Sequence, residues 1–180
     1  MISETYALIA RYHPPGGPSH DVFMTHAKAV SKKALAVAGR FAGMDLDFIE
    51  EAALLHDIGI CRVRAPDIGC HGSLPYICHG IAGRDILNEE NWPRHALVCE
   101  RHIGVGLTRR DILDQKLPLP ALDMCPISLE EKIIAYADLF FSKSPGRLEE
   151  EKSVESVRES VGRWGQDKLE IFDSWHRLLG

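Results

Sequence analysis

The sequence lacks several features that would point to whole classes of protein. No apolar run in its 180 residues approaches the roughly 20 residues of a membrane-spanning helix. The amino terminus, MISETYALIARYH, carries Glu4 and has no basic stretch followed by an apolar core, which argues against a signal peptide. Lysine and arginine form no basic stripe, and the formal net charge is −5. We therefore expect neither membrane nor duplex nucleic acid as a partner.

Paired cysteines are also missing. The five cysteines are an odd number, are widely spaced and form no C-x-x-C motif: Cys61, Cys70, Cys78, Cys99 and Cys125. Such spacing is typical of reduced thiols rather than of a disulfide framework or a zinc site, and it favours a cytoplasmic protein. Hydrophobic residues at 45% and charged residues at 26% are ordinary for a globular domain.

Strand patterns are scarce, and apolar residues instead recur three and four positions apart. These repeats predict successive amphipathic helices, the first with Ser19 as its N-cap and the second from about Asp45 to Ile60. Ser128 and Glu131 have the spacing of a capping box for a later helix. We predict one all-α domain over residues 1–180, with a helical bundle at about 20–145 and peripheral helices at about 148–179 that pack back onto it.

What the sequence has in excess is histidine, with nine residues. Five helical segments each place a histidine or an aspartate on the apolar face that should point inward. These residues are His26, His56, Asp57, His79, His102 and Asp138. A buried polar group without a partner costs on the order of 1–3 kcal/mol, so six of them are hard to explain as core residues. Bound cations would turn these imidazoles and carboxylates into ligands.

The adjacent pair His56 and Asp57 would project about 100° apart from one helix. Asp57 has two oxygens and could therefore bridge two ions. One metal would be held by His26, His56, Asp57 and Asp138. The second would be held by His79 and His102, with Asp57 shared. We expect two divalent ions (Mn, Fe, Ni, Zn or Mg), and we assign the catalytic role to Asp57 and His56.

The order of these residues resembles a known family. The segment AALLHDIGI at 52–60, preceded by His26 and followed by IIAYAD at 133–138, is similar to the HD-domain superfamily of metal-dependent phosphohydrolases. HGIAG at 79–83 and RHIGVG at 101–106 add the histidines of its two-metal members. The resemblance covers about residues 20–145, is strongest to small stand-alone members, and implies a helical bundle with the site inside.

Departures from the family patterns narrow the expected activity. No GYP motif follows the site, and Ile60 and Cys61 stand where the ppGpp hydrolases carry an acidic pair. The small dinucleoside-polyphosphate hydrolases are a closer comparison. A di-iron oxygenase, in which the same six residues hold two irons, is the alternative reading. A metal-stabilised binding module without activity is a third, which the complete ligand set disfavours.

The expected substrate is a nucleotide or another small phosphoester, attacked by metal-activated water. Lys143, Arg109 and Arg147 are predicted to bind its phosphate because ammonium and guanidinium groups suit phosphate oxygens. His71, in the loop after the HD motif, is a weaker candidate for a substrate contact. The remaining histidines are expected to be exposed or to cap helices: His13, His20, His95 and His176.

Overall fold

The computed structural model describes residues 2–144 and 146–180. Helices dominate these residues, which confirms the all-α prediction. In chain order they are α1 Ile2–Tyr12, α2 His20–Ala38, α3 Leu46–Leu55, α4 His79–Glu89, α5 Pro93–Arg101, α6 Arg109–Asp114, α7 Leu129–Leu139, α8 Val154–Gly162 and α9 Gln166–Leu179. A small antiparallel hairpin joins β1 Arg64–Ala65 to β2 Cys70–His71, with Arg64 opposite His71.

The helix that carries the HD motif is shorter than predicted. α3 ends at Leu55, His56 is its C-cap, and Asp57 lies outside the helix at φ −106° and ψ 9° before a 3₁₀ turn at Ile58–Arg62. The turn brings Gly59 against the start of α4, which a straight continuation of α3 would not do. The expectation that His56 and Asp57 project about 100° apart from one α-helix is therefore wrong.

Two predicted caps also differ in detail. Ser19 is at the N-cap of α2, but its side chain does not cap the helix and lies 3.1 Å from the ring nitrogen Nδ1 of His13. Ser128 Oγ accepts a hydrogen bond from the backbone of Glu131, as predicted. The Glu131 carboxylate turns instead to the backbone N–H of Ile127, so the reciprocal half of the capping box is absent there.

Glycines bring three segments unusually close together. A Cβ at Gly59 would lie 2.1 Å from the carbonyl oxygen of His79 and 2.3 Å from the backbone nitrogen of Gly83. At Gly80 it would lie 2.6 Å from the carbonyl oxygen of Cys99. Because only a missing side chain permits these approaches, the 3₁₀ turn, α4 and α5 pack nearly backbone to backbone. This packing places the ends of all three segments around one point.

The peripheral helices pack onto the bundle, as predicted. Val157 from α8 and Phe172 from α9 are buried in the same cluster as Ile134 of α7. Trp175 and Leu179 complete the inner face of α9, whereas Leu178 is 55% exposed. No helix among residues 2–144 and 146–180 is long and apolar enough to cross a membrane.

Candidate metal centre

Six side chains from five segments meet inside the bundle. His26 comes from the middle of α2 and Asp138 from the last turn of α7. His56 and Asp57 follow α3, His79 begins α4, and His102 caps the end of α5. These are the six predicted residues, and all except Asp138 are at most 5% exposed. Except for His26, the polar groups therefore lie at helix ends, while the apolar helix faces form the surrounding core.

One set of ligand atoms surrounds His26. Its Nε2 lies 3.0 Å from Asp138 Oδ1, 3.3 Å from Asp57 Oδ2 and 3.3 Å from His56 Nε2. His56 Nε2 in turn lies 3.2 Å from Asp57 Oδ2 and 3.5 Å from Asp138 Oδ1. Five of the six pairs among the four residues predicted to share the first ion are thus in contact through the atoms that would bind it.

The second set uses the other oxygen of Asp57. Oδ1 lies 3.4 Å from His79 Nε2 and 3.5 Å from His102 Nε2, and these two nitrogens are 3.1 Å apart. Asp57 is accordingly the residue that both sets share, with one oxygen directed to each. This arrangement would let Asp57 bridge two ions, a role that stays a prediction.

Hydrogen bonds to nearby carbonyl groups fix the orientation of three of the imidazoles. His56 Nδ1 lies 2.6 Å from the carbonyl oxygen of Ala53, and His79 and His102 make the same contact with the third residue before each of them, at 2.7 Å and 2.9 Å. A carbonyl oxygen can only accept, so each Nδ1 carries the proton. When these rings are neutral, their Nε2 lone pairs face the centre of the cluster, as metal ligation requires.

The charges in the cluster favour a bound cation. Burial lowers the pKa of His79 to about 4, so this imidazole is neutral. Burial also opposes a charge on His56, but the carboxylates of Asp57 and Asp138 outweigh it and raise the pKa of His56 to about 10. Despite their burial, nearby Lys143 and His56 hold the pKa values of Asp57 and Asp138 well below their ordinary range. The negative charge that stabilises a proton on His56 would equally stabilise a metal ion.

The spacing of the donor atoms fits metal ligation. For bonds of about 2.1 Å, neighbouring ligand atoms lie roughly 3.0 Å apart around an octahedral ion and 3.4 Å apart around a tetrahedral one. All eight contacts described above lie between 3.0 and 3.5 Å. The Nε2 atoms of His79 and His102 lie 3.1 Å apart, and with a proton on each Nδ1 they need either a further proton or a shared cation between them. A shared cation would suit this contact.

Comparison with known proteins agrees with this geometry. A family model for the HD domain matches residues 23–141, which include all six residues. The chain belongs to the HD domain family. HD domains bind divalent metals and are generally metal-dependent hydrolases.

Three relatives of this HD domain are informative. An uncharacterized protein of Methanocaldococcus jannaschii is 36% identical over 77% of this chain and 76% of its own length. Proteins named tRNA (cytidine(56)-2′-O)-methyltransferase from Thermoplasma volcanium and Picrophilus torridus are 32% and 36% identical over 88% and 66% of this chain. The chain spans only 42% and 31% of the length of these two proteins. No solved structure matches the chain significantly.

Of the three predicted phosphate-binding residues, the HD domain places one beside the cluster. Lys143 Nζ lies 2.6 Å from Asp57 Oδ2, and its side chain is 16% exposed. Arg109 is exposed at the start of α6, where its backbone N–H donates to Asp123 Oδ1. Arg147 is also exposed and faces Glu150 at 3.8 Å. A phosphate role for the two arginines stays a prediction.

His13 is fully buried, with its ring stacked 4.1 Å from Phe23. The prediction that it is exposed or caps a helix is therefore wrong. Its Nε2 lies 3.1 Å from the carbonyl oxygen of Ile58, the residue after Asp57. This contact therefore stabilises the turn that follows Asp57. The aromatic partner lies ten positions away and no periodic pattern links them, so the sequence gives no signal for this contact.

The prediction for His95 is also wrong, and Tyr76 was not predicted as a residue of the site. His95, also expected to be exposed or capping, has only 13% of its side chain exposed and packs between Phe48 and Trp92. Tyr76 accepts the His79 Nδ1 hydrogen bond at its carbonyl, and its ring lies 4.9 Å from the His79 ring. Its position three residues before His79 is the one clue that the sequence offers. His71, the weaker candidate, is exposed on β2.

Proposed function

We propose that this HD domain is a metal-dependent phosphohydrolase that acts on a nucleotide or another small phosphoester. The observation that carries the proposal is Lys143, whose ammonium lies 2.6 Å from the carboxylate shared by both ligand sets. Divalent ions held there would supply an activated water and neutralise charge on the attacking and leaving oxygens. The protein's own groups would then bind and orient the phosphate.

Lys143 has two properties that suit phosphate binding. Its side chain is partly exposed, so it can turn from Asp57 toward an incoming anion. Cations bound by Asp57 would repel the ammonium and weaken its hold on that carboxylate, which leaves it free to pair with phosphate oxygens. An ammonium group beside the ligands serves an anionic substrate better than it serves neutral dioxygen. This favours hydrolysis over the di-iron oxygenase alternative.

The nucleotide class is supported by the names of two relatives. Both are named as enzymes that act on tRNA, and this chain corresponds to less than half of each. We do not extend methyl transfer to this chain, because the ligand cluster described above is of the kind used for metal-assisted hydrolysis. A phosphoester of a nucleoside or of an RNA end combines both lines of support.

A panel of phosphoesters tests the proposal. Protein purified anaerobically and loaded separately with Mn, Fe, Ni or Zn should release phosphate or a nucleotide from at least one nucleoside phosphoester without consuming oxygen. Lys143→Met should reduce that turnover by about 100-fold, as expected when one group that stabilises developing charge is removed. Lys28→Met, at an exposed position of α2, is the matched control and should be unaffected. Oxygen-dependent product with no hydrolysis would establish the oxygenase instead.

A further inference from the structure

The cluster opens to solvent on one side. His26, His56, Asp57 and His102 are at most 2% exposed, so a substrate cannot approach past them. The side chains of Asp138 and Lys143 are each 16% exposed. A phosphate must therefore enter past these two groups, and the side chains around them form the mouth of the site.

Tyr76 lies at this mouth. Its ring contacts that of His79, with ring centroids 4.9 Å apart, and the residue is 40% exposed. Lys143, Asp57 and Asp138 are the charged groups near enough to act on its hydroxyl. The hydroxyl therefore faces the cluster, and a phenol hydroxyl can donate a hydrogen bond. A substrate can reach a side chain that is 40% exposed.

We propose that Tyr76 is a substrate-binding residue whose hydroxyl donates a hydrogen bond to a phosphate oxygen beside Lys143. Tyr76 belongs to the turn before α4 and Lys143 to the segment after α7. Together they supply one neutral donor and one charged donor at the open side. This inference rests on the proposed function for its substrate, but binding of phosphate itself can be measured without turnover.

The structure also defines a clean perturbation. The backbone carbonyl of Tyr76, not its side chain, holds His79 Nδ1 at 2.7 Å, and the ring rather than the hydroxyl packs on His79. Tyr76→Phe preserves both of these contacts and removes only the hydroxyl. Tyr6→Phe, at a tyrosine of α1 that is also 40% exposed, is the matched control.

The experiment measures affinity for inorganic phosphate by calorimetry on Mn²⁺-loaded protein, with metal content determined on the same samples. Tyr76→Phe should weaken phosphate binding about 10-fold, the usual effect of losing one hydrogen bond to a charged group. Its metal content should equal that of the wild type, and Tyr6→Phe should match the wild type in both measurements. A wild-type affinity in Tyr76→Phe, or a wild type that binds no phosphate, would overturn the assignment.

Two further results separate this inference from the proposed function. If Tyr76→Phe loses metal along with phosphate affinity, Tyr76 acts by supporting His79 and is not a substrate-binding residue. If the wild type hydrolyses no phosphoester but phosphate affinity still depends on the Tyr76 hydroxyl, the hydrolase proposal fails and the binding role stands. If Tyr76→Phe hydrolyses phosphoesters normally and binds phosphate with normal affinity, the hydrolase proposal stands and the binding role of Tyr76 fails.

Discussion

Gly59→Ala should dismantle one half of the ligand cluster while leaving the other in place. The added methyl group would lie 2.1 Å from the carbonyl oxygen of His79, which falls short of the ordinary 3.4 Å contact by about 1.3 Å. Because the opposing atoms are backbone, no side chain can move aside, and α4 itself must shift. Asp57 is two residues before Gly59, so the 3.4 Å contact between Asp57 Oδ1 and His79 Nε2 should lengthen by a similar amount.

The expected consequences of Gly59→Ala are specific. Atoms that separate by about 1 Å can no longer share one ion, so the set formed by His79 and His102 should lose metal, and turnover should fall about 100-fold. The set formed by His26, His56, Asp57 and Asp138 has no member on α4 or α5 and should stay loaded. Overpacking should also lower the free energy of unfolding by about 1–3 kcal/mol or more.

Metal analysis, thermal unfolding and phosphoester turnover on one preparation test this reasoning. Gly39→Ala is the control, because Gly39 is exposed at φ −60° and its added Cβ would come no closer than 3.3 Å to another atom. A wild-type metal content and melting temperature in Gly59→Ala would refute this prediction. Uniform loss of metal from both sets would show that the two sets are not separable in the way described.

Three further predictions concern single residues. His79→Ala should reduce occupancy of the second ligand set more than that of the first, and full occupancy with unchanged turnover would make His79 a core residue. Asp57→Ala should cut hydrolysis by at least about 100-fold while circular dichroism shows that the helices persist, since the shared carboxylate is lost but the apolar core is kept; wild-type turnover would remove Asp57 from the mechanism. Burial alone would raise the pKa of Asp111, but Lys168 and Thr108 outweigh burial and lower this pKa below the ordinary 3.8. The contribution of the Asp111 carboxylate to the stability of the fold is therefore complete above about pH 4 and is lost as the pH falls through the lowered pKa. Asp111→Asn should therefore lower the free energy of unfolding by about 2 kcal/mol at pH 7, and urea titrations should find a smaller difference near pH 3.

The sequence was sufficient to find the six cluster residues because the signal is local and periodic. A polar residue that recurs on an apolar face, as His26 does among Phe23, Ala27 and Val30, is visible without a structure. The same periodicity gave the bundle and the packing of the last two helices. Amphipathic patterns report which side of a helix faces inward, and this was the information needed.

The sequence could not show where those helices end. The pattern of α3 continues through Ile60, but the helix stops at Leu55 because Gly59 must approach α4. That approach depends on partners 20 to 24 residues away, His79 and Gly83, and an apolar pattern does not indicate it. The contact of His13 with the Ile58 carbonyl, and those of His56 and His79 with nearby carbonyl groups, depend in the same way on where the chain turns. Such tertiary contacts override local propensity at the point where the site forms.

Three histidine rings of the cluster are held by their own neighbouring backbone, whereas Nδ1 of His26 is buried and has no hydrogen-bond partner among the described residues. The three anchored rings keep their orientation for as long as the adjacent turn persists, so metal exchange requires little rearrangement from them. His26 alone among the four can rotate without breaking such a bond. A bound ion would therefore be what fixes the orientation of His26, and in the metal-free protein its imidazole resonances should be the most broadened of the four by ring reorientation.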